Sequence, residues 1–429
     1  MLSEVLAHKD FTFCGPTGKS AKVLNNRLSA HGRSASTIHS TLKGAGRGDF
    51  EVNASEPLEG DVLVMDESGM SDVELADGVL AAANSDMHVI ILGDTQQLPS
   101  VSPGVFLKDL VSMEGPDHHQ LTTTHRNSGG ILEVIDQVSR GWIDCVDRPS
   151  VKFSHGLGDA STEFSMVAQS YINAVSRHGF DNVILLLPMR KGEAATPGWN
   201  TTYANAVLQR LCNPNAEKVP GTRLHVGDRI ILRANMSVRF ASDADFVKGD
   251  DDDDDANATR VVNGDTGSIV SYKTYRKDSK SPNNAGAKSL RLKLDDGRMV
   301  DFPGSATELV QLSYALTVHS GQGSEYKHVI FVGTPGHKSF INRPMLFTGL
   351  SRARHMLEVF GEDHVVRKIA ATPAPKRNSA LAPRVAKLLG NDYEEEEEPD
   401  SPSTTVSDDD DLPVLSTRRS RVGFGAMRC

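Results

Sequence analysis

A chain of 429 residues, 38% apolar and 24% charged, is long enough for two or three domains, each with its own core. It carries 46 basic against 56 acidic side chains, and the net charge of −10, taken whole, speaks against a polyanionic partner. No apolar run approaches ~18 residues and the N-terminus has no apolar h-region, so a cytoplasmic protein with no membrane partner is expected. Cys14, Cys145, Cys212 and Cys429 stand far apart with no Cys-x-x-Cys, which excludes a disulfide framework and a cysteine-rich zinc module.

In chain order, short apolar runs alternate with amphipathic stretches, the pattern of an α/β chain. Phe11–Cys14 reads as a buried strand, followed by a helix over Ala21–Leu28 whose Ala21, Leu24 and Leu28 share one face. Val62–Met65 and Val89–Leu92 are further strands. Gly130–Val138 reads as a helix, Val183–Leu187 as a strand and Thr202–Leu211 as a helix, with Trp142 and Trp199 as packing anchors of this region. From about 222 to 300 the character changes to short β-like runs (Arg229–Leu232, Gly267–Val270, Leu290–Leu294) between Gly-Asp and Asp-Gly turns, suggesting a small β-barrel insertion. Within it, six aspartates in a row, Asp250 to Asp255, read as a solvated loop. A calcium site would need alternating ligands and a turn glycine, which the run lacks. A strand at Val329–Val332 and a helix over Pro344–Arg354 follow. Asn391 to Asp411 holds 11 acids and no Lys or Arg, and residues from about 390 read as a disordered tail.

The chemistry gathers at strand ends. Asp61-Val-Leu-Val-Met-Asp-Glu67 is an apolar strand ending in two carboxylates, and ligands of parallel sheets bind at such carboxyl edges. Asp66 suits Mg²⁺ held through water, and Glu67 suits orienting and deprotonating an attacking water. Ordinary acidic turns end strands in the same way, so this segment alone does not decide. A second strand runs into Gly93-Asp94 and then Gln97-Leu98-Pro99, and a glutamine there can bond both a γ-phosphate and the water.

These segments resemble motifs II and III of superfamily 1 helicases, nearest the RecD-like branch. Other segments follow that family's order across about residues 11–361. Gly15-Pro-Thr-Gly-Lys-Ser-Ala21 is similar to motif Ia, and Ser36-Thr-Ile-His-Ser40 to the motif after it. Leu121-Thr-Thr-Thr-His-Arg126 resembles motif IV, and Pro188-Met-Arg190 with Asn200 and Leu208-Gln209 the opening of a second motor domain. Gly227-Asp-Arg229 and Val262-Asn-Gly-Asp265 look like strands of an SH3-like insertion. Tyr314 to Glu325 is similar to motif V, and Leu346 to Arg354 to motif VI.

The resemblance implies two RecA-like parallel-sheet motor domains: residues 1–125, then 126–221 with 301–370. The SH3-like insertion takes 222–300, and a linker and disordered acidic tail take 371–429. It implies ATP and Mg²⁺ as cofactors, single-stranded and duplex DNA as partners, replication or recombination proteins beside them, and 5′→3′ unwinding. Arg126 and Arg352 are the expected arginines reaching the γ-phosphate across the cleft. Gly93, Asp94, Gly323 and Glu325 are expected to line the nucleotide. Pro16, Thr17, Lys19, Thr37 and His39 on one domain, with Thr317 and His319 on the other, are expected to hold the strand. Residues 44–58 fall where a duplex-splitting hairpin lies, with Phe50 as wedge, although three glycines in five positions fit a flexible loop equally.

Gly15–Ser20 is a weak phosphate loop. In Gly-x-x-x-x-Gly-Lys-Ser the first glycine would fall on Phe13, and measured from Gly15 the loop is two residues short. As motif Ia it leaves the chain without a Walker A lysine, and weak or absent ATP hydrolysis is expected of residues 1–429. Two other readings remain in view: an ATPase-deficient single-strand binder, and a different P-loop enzyme using Gly15–Ser20, which leaves Gln97 and Arg126 unexplained. RNA also remains open as a substrate, since backbone-tracking sites discriminate poorly. The charge itself sharpens on inspection: without residues 391–411 the remainder is +1, and without Asp250–Asp255 as well it is +7. The expected motor body is therefore mildly basic.

Overall fold

Buried apolar runs followed by capped helices build two parallel sheets. The computed structural model describes residues 8–44, 49–113, 117–121, 129–154, 160–191, 199–241, 258–274, 287–334, 341–377 and 379–389. The first sheet is formed from β1 (Phe11–Gly15), α1 (Gly18–Leu28), β2 (Ala35–Thr37), α2 (Ile38–Thr41), β3 (Val62–Met65), α3 (Val73–Ala82), β4 (His88–Ile91) and α4 (Phe106–Ser112). Its strands run parallel in the order β2-β1-β3-β4. Leu63 and Met65 of β3 pack with Ile38, Leu42, Leu75 and Val79. Strand β4 is an edge among the described residues, and Val89 and Leu92 keep 36% and 45% of their surface exposed there.

The second sheet begins with α5 (Gly129–Ser139), β5 (Val151–Ser154), α6 (Ala160–His178), β6 (Val183–Leu187) and α7 (Thr201–Cys212). The chain then leaves it for seven strands: β7 (Arg229–Leu232), β8 (Met236–Phe240), β9 (Ala258–Val261), β10 (Thr266–Thr274), β11 (Ala287–Leu294), β12 (Met299–Pro303) and β13 (Val310–Leu312). It returns through β14 (Ala315–Thr317), α8 (Val318–Gly321), β15 (Tyr326–Val332), α9 (Arg343–Leu350), β16 (Ala353–Phe360), α10 (Asp363–Ala371) and α11 (Leu381–Leu389). The parallel order is β14-β6-β15-β16-β5. Apolar clusters cover both faces, one around Ile184, Phe331 and Leu357, the other around Leu185, Tyr171 and Ile330, as a parallel sheet requires.

The seven inserted strands form one antiparallel sheet, β13-β7-β10-β11-β12-β8-β9, with its own core around Ile230, Leu290 and Phe302. It takes in Met299–Pro303 and Val310–Leu312, so it runs past residue 300. Fully buried Asp228 fixes it to the second sheet by accepting bonds from Tyr314 Oη at 3.0 Å and Asn213 Nδ2 at 2.9 Å. Arg229 grips Asp295 with two bonds of 2.7 and 2.6 Å.

Three expectations are corrected. The helix expected over Pro344–Arg354 stops at Leu350, because Ala353 already pairs with Tyr326 in the sheet. Trp199 is a core residue, but Trp142 is 50% exposed and anchors little. Phe50 is no free wedge: it pairs with Gly44 and its ring packs towards Leu42, Val52 and the backbone of Gly78. The aspartate run and the acidic tail lie outside the described residues. No described helix is long and apolar enough to cross a membrane.

Candidate nucleotide site and strand face

Strand β3 ends at Met65, so Asp66 and Glu67 emerge at the carboxyl edge of the first sheet. The Asp66 carboxylate accepts the Glu67 amide at 2.9 Å. Glu67 adopts a left-handed backbone, φ 53° and ψ 35°, a conformation that costs a non-glycine residue energy and clusters at functional sites. The two strand ends are locked together, Ser68 N donating to Leu92 O at 2.9 Å. Gly93 is required at this crossing: a Cβ there would lie 2.6 Å from Leu107 Cδ2 and 3.0 Å from Gly69 N. Asp94 accepts the Gln96 amide on one oxygen and Gln97 Nε2 at 3.0 Å on the other. Asp66, Glu67, Asp94 and Gln97 thus gather along adjacent strand ends β3 and β4, all partly exposed.

Leu98 ties this group to the second domain. Its side chain is buried in that domain's core, its N–H donates to Thr348 Oγ1 at 2.8 Å, and its carbonyl accepts Gln322 Nε2 at 3.2 Å. Thr348 and Gln322 lie within the two C-terminal motif segments, but sequence reasoning does not single them out; the fold brings them to Leu98. Beyond Leu98, Arg377 donates to the carbonyls of Ser100, Ser102 and Gly104 at 2.8, 3.0 and 2.9 Å, strapping the chain after α10 onto the same loop.

Arg352 is 2% exposed and donates to Thr348 O at 3.0 Å and Ser351 Oγ at 2.9 Å, so its guanidinium supports the α9–β16 turn. Arg354 pairs with Glu325 beside it. Gly323 holds a positive φ of 72°. Arg126 lies outside the described residues.

The two domains repeat one device at the threonines that end β2 and β14. Thr37 ends β2 with φ −73° and ψ 152° and caps α2 by accepting Ser40 N at 3.1 Å. Thr317 ends β14 with φ −72° and ψ 153° and caps α8 by accepting Ser320 N at 3.3 Å. Both strands are sheet edges, and both caps are followed by a histidine two residues on. His39 is exposed near Phe50, with ring centroids 6.1 Å apart. His319 is half-buried, and that burial lowers its pKa. Arg233, missed in the sequence because it follows an ordinary strand, donates to Ser320 Oγ at 3.2 Å beside Arg190.

Thr17 caps α1, accepting Ser20 N at 3.1 Å, with Ser20 Oγ bonded back to the Thr17 amide. Lys19 lies on the first turn of α1. Its stem meets Gly264 and Gly323, its Nζ is shielded without a hydrogen-bond partner among the described residues, and burial lowers its pKa to about 8. Its neighbour Lys22 pairs with Asp265 and Asp296.

The hard carboxylate oxygens of Asp66, partly exposed at the strand end, are of the type that suits a magnesium ion keeping most of its water. No three His, Cys, Asp or Glu side chains among the described residues could hold a metal alone. The loop after β1, Gly15–Ser20, leaves the sheet next to the Asp66 strand end, Asp66 N donating to Cys14 O at 2.9 Å.

Two parallel-sheet domains are thus joined through Leu98, the residue after the strand-end Asp94-x-x-Gln97. Residues 2–148 match the AAA domain family and 312–359 the UvrD-like helicase C-terminal domain. The chain is a relative of the RecD-like helicases. It is 29% identical over 389 residues to the ATP-dependent RecD2 DNA helicase of Deinococcus radiodurans, covering 87% of this chain and 46% of that one. It is 24% identical over 392 residues to the RecBCD enzyme subunit RecD of Mycobacterium tuberculosis, covering 84% and 62%. It therefore spans about half the length of these curated relatives. A Bacteroides Pif1 helicase solved with ADP-AlF3 and single-stranded DNA aligns over 89% of this chain and 88% of that one, at 16% identity and a TM-score of 0.47.

Proposed function

We propose that this chain is the motor segment of a 5′→3′ DNA helicase, using ATP and Mg²⁺ to close two RecA-like domains on single-stranded DNA and so unwind duplex DNA. The carrying observation is Leu98, whose N–H and carbonyl join the Asp94–Gln97 strand end to Thr348 and Gln322 of the second domain. Any change at the nucleotide edge of the first sheet is thereby felt by the second.

Asp66 is the residue to hold Mg²⁺ through water, and Glu67 is the base that takes a proton from the attacking water. Gln97 orients that water. Arg126 and Arg352 are the arginines for the γ-phosphate, with Gly93, Asp94, Gly323 and Glu325 lining the nucleotide. Because Arg352 is engaged with Thr348 and Ser351, it must exchange these bonds to reach a phosphate. Bound MgATP supplies the chemical energy; the chain's part is to orient water and accept its proton at Glu67.

Pro16, Thr17, Lys19, Thr37 and His39 form one strand-contact set, and Thr317 and His319 the other. The repeated capped turns on β2 and β14 support this pairing, since alternate grip by two equivalent sites is what stepwise translocation needs. The antiparallel insertion is read as the SH3-like module, and the 44–58 segment as the duplex-splitting element, without Phe50 as its wedge.

The loop spacing, with Phe13 where the first glycine of a phosphate loop would fall, supports placing the phosphate cradle outside Gly15–Ser20. Residues 1–429 are accordingly expected to bind single strands while hydrolysing ATP weakly or not at all, which also keeps the ATPase-deficient strand binder as a second reading. The test is strand displacement and single-strand-stimulated hydrolysis by a longer form that supplies a phosphate loop upstream. Activity that Glu67→Gln abolishes supports the motor. Unwinding that survives Glu67→Gln refutes it, and strand binding without any turnover favours the second reading.

A further inference from the structure

Lys19 and Lys22 lie three residues apart on α1, the spacing that puts both on one face, and that face meets the inserted sheet. Lys22 Nζ pairs with Asp265 and, at 2.6 Å, with Asp296. Arg298 binds the same two carboxylates at 3.3 and 2.8 Å. The Asp265 side chain is 5% exposed and those of Asp296 and Lys22 are 20% and 24% exposed, so these pairs are better shielded than ordinary surface ones. Packing at the contact is close: a Cβ at Gly18 would lie 2.7 Å from Val262 Cβ. A cavity of about 140 Å³ beside it is lined by Lys19, Lys22, Asn26, Thr266, Asp295 and Asp296.

We propose that this contact is an electrostatic latch: the Val262–Thr266 turn and Asp296 hold α1 shut over Lys19, closing the first domain's strand face until the phosphates of a nucleic-acid strand compete for Lys19 and Lys22. It rests on the strand-contact reading of Lys19 given above. Two opposed forces make the latch reversible. The Lys22 pairs hold it closed, while the shielded Lys19 ammonium, without a hydrogen-bond partner among the described residues, works against closure because burying an unpaired charge is costly. An incoming phosphate satisfies Lys19 and draws Lys22 from its carboxylates. Since Asp228 and Arg229 fix the insertion to the second domain, through Tyr314 and Asp181, release removes one of the contacts between the two domains and leaves the Leu98 joint in place.

The test pairs two readouts on the full chain. Backbone amide exchange at 18–28 and 262–266 reports the contact itself. Anisotropy of a labelled oligothymidylate across a salt series reports strand binding. Asp265→Asn with Asp296→Asn is expected to raise exchange in both segments and to tighten low-salt binding about threefold or more, with a steeper salt slope. Asp265 also accepts the Val262 amide, so Lys22→Met, which leaves the insertion's own bonds intact, must raise exchange as well. Unchanged exchange in both variants would mean there is no latch. Raised exchange with unchanged affinity would mean that it gates nothing. If wild type and variants alike fail to bind the oligonucleotide, the strand reading fails and takes the gate with it.

Discussion

The two parallel sheets are built alike and finished differently. In the second, five strands are covered on both faces, and central β15 carries Val329, Ile330, Phe331 and Val332 with no exposed surface. In the first, four strands end at β4, where Val89 and Leu92 stand 36% and 45% exposed. Parallel strands are rarely left in that condition. The difference separates a sheet shielded on both faces from one whose β4 edge keeps apolar surface exposed among the described residues.

The largest effect expected from this contrast is in the cores. Phe331→Ala should cost about 3–5 kcal/mol, whereas Val89→Ala on the open edge should cost under ~1 kcal/mol, read from denaturant midpoints. Equal losses would break the comparison. Leu98→Ala should cost about 2–4 kcal/mol and split one thermal transition into two, because it empties a second-domain core position filled from the first domain. A single, merely shifted transition would argue that the domains are coupled elsewhere.

Lys19→Met is expected to stabilise the protein at neutral pH, on the order of 1–3 kcal/mol. The sign follows from its pKa, lowered by burial to about 8. Between about 8 and the ordinary lysine value the unfolded chain binds more protons than the folded one, so wild-type stability rises with pH across that window. The stabilising effect of Lys19→Met should therefore shrink as pH climbs from 8 to 10, measured by denaturation at each pH; an effect constant with pH would mean the amine is not buried as charge. Smallest of all, Asp66→Asn should leave stability within about 0.5 kcal/mol, since its carboxylate accepts only a neighbouring amide that Asn can also serve.

Much of this was legible in the chain because local chemistry and fold agree. Val62–Met65 and Val183–Leu187 are strands at the bounds their apolar runs suggest, and the carboxylates after Met65 emerge where ligands of such sheets bind. What the sequence could not reveal depends on distant partners. Arg352 looks free to reach across a cleft until the turn around Thr348 and Ser351 is seen to occupy it. Phe50 sits in a glycine-rich loop yet packs inward, because Gly78, 28 residues away, leaves room for its ring. Lys19 resembles a phosphate-loop lysine in its local string. The loop spacing, with Phe13 in place of the first glycine, separates it from one, and the fold adds that its stem lies against Gly264 and Gly323.

That separation is the most direct point of attack. The decisive measurement is single-strand-stimulated ATP hydrolysis by residues 1–429, with Lys19→Ala beside the parent. The expected result is negligible turnover in both, with weaker oligonucleotide binding in Lys19→Ala. Robust turnover in the parent that Lys19→Ala abolishes would make Gly15–Ser20 the phosphate loop and contradict the account.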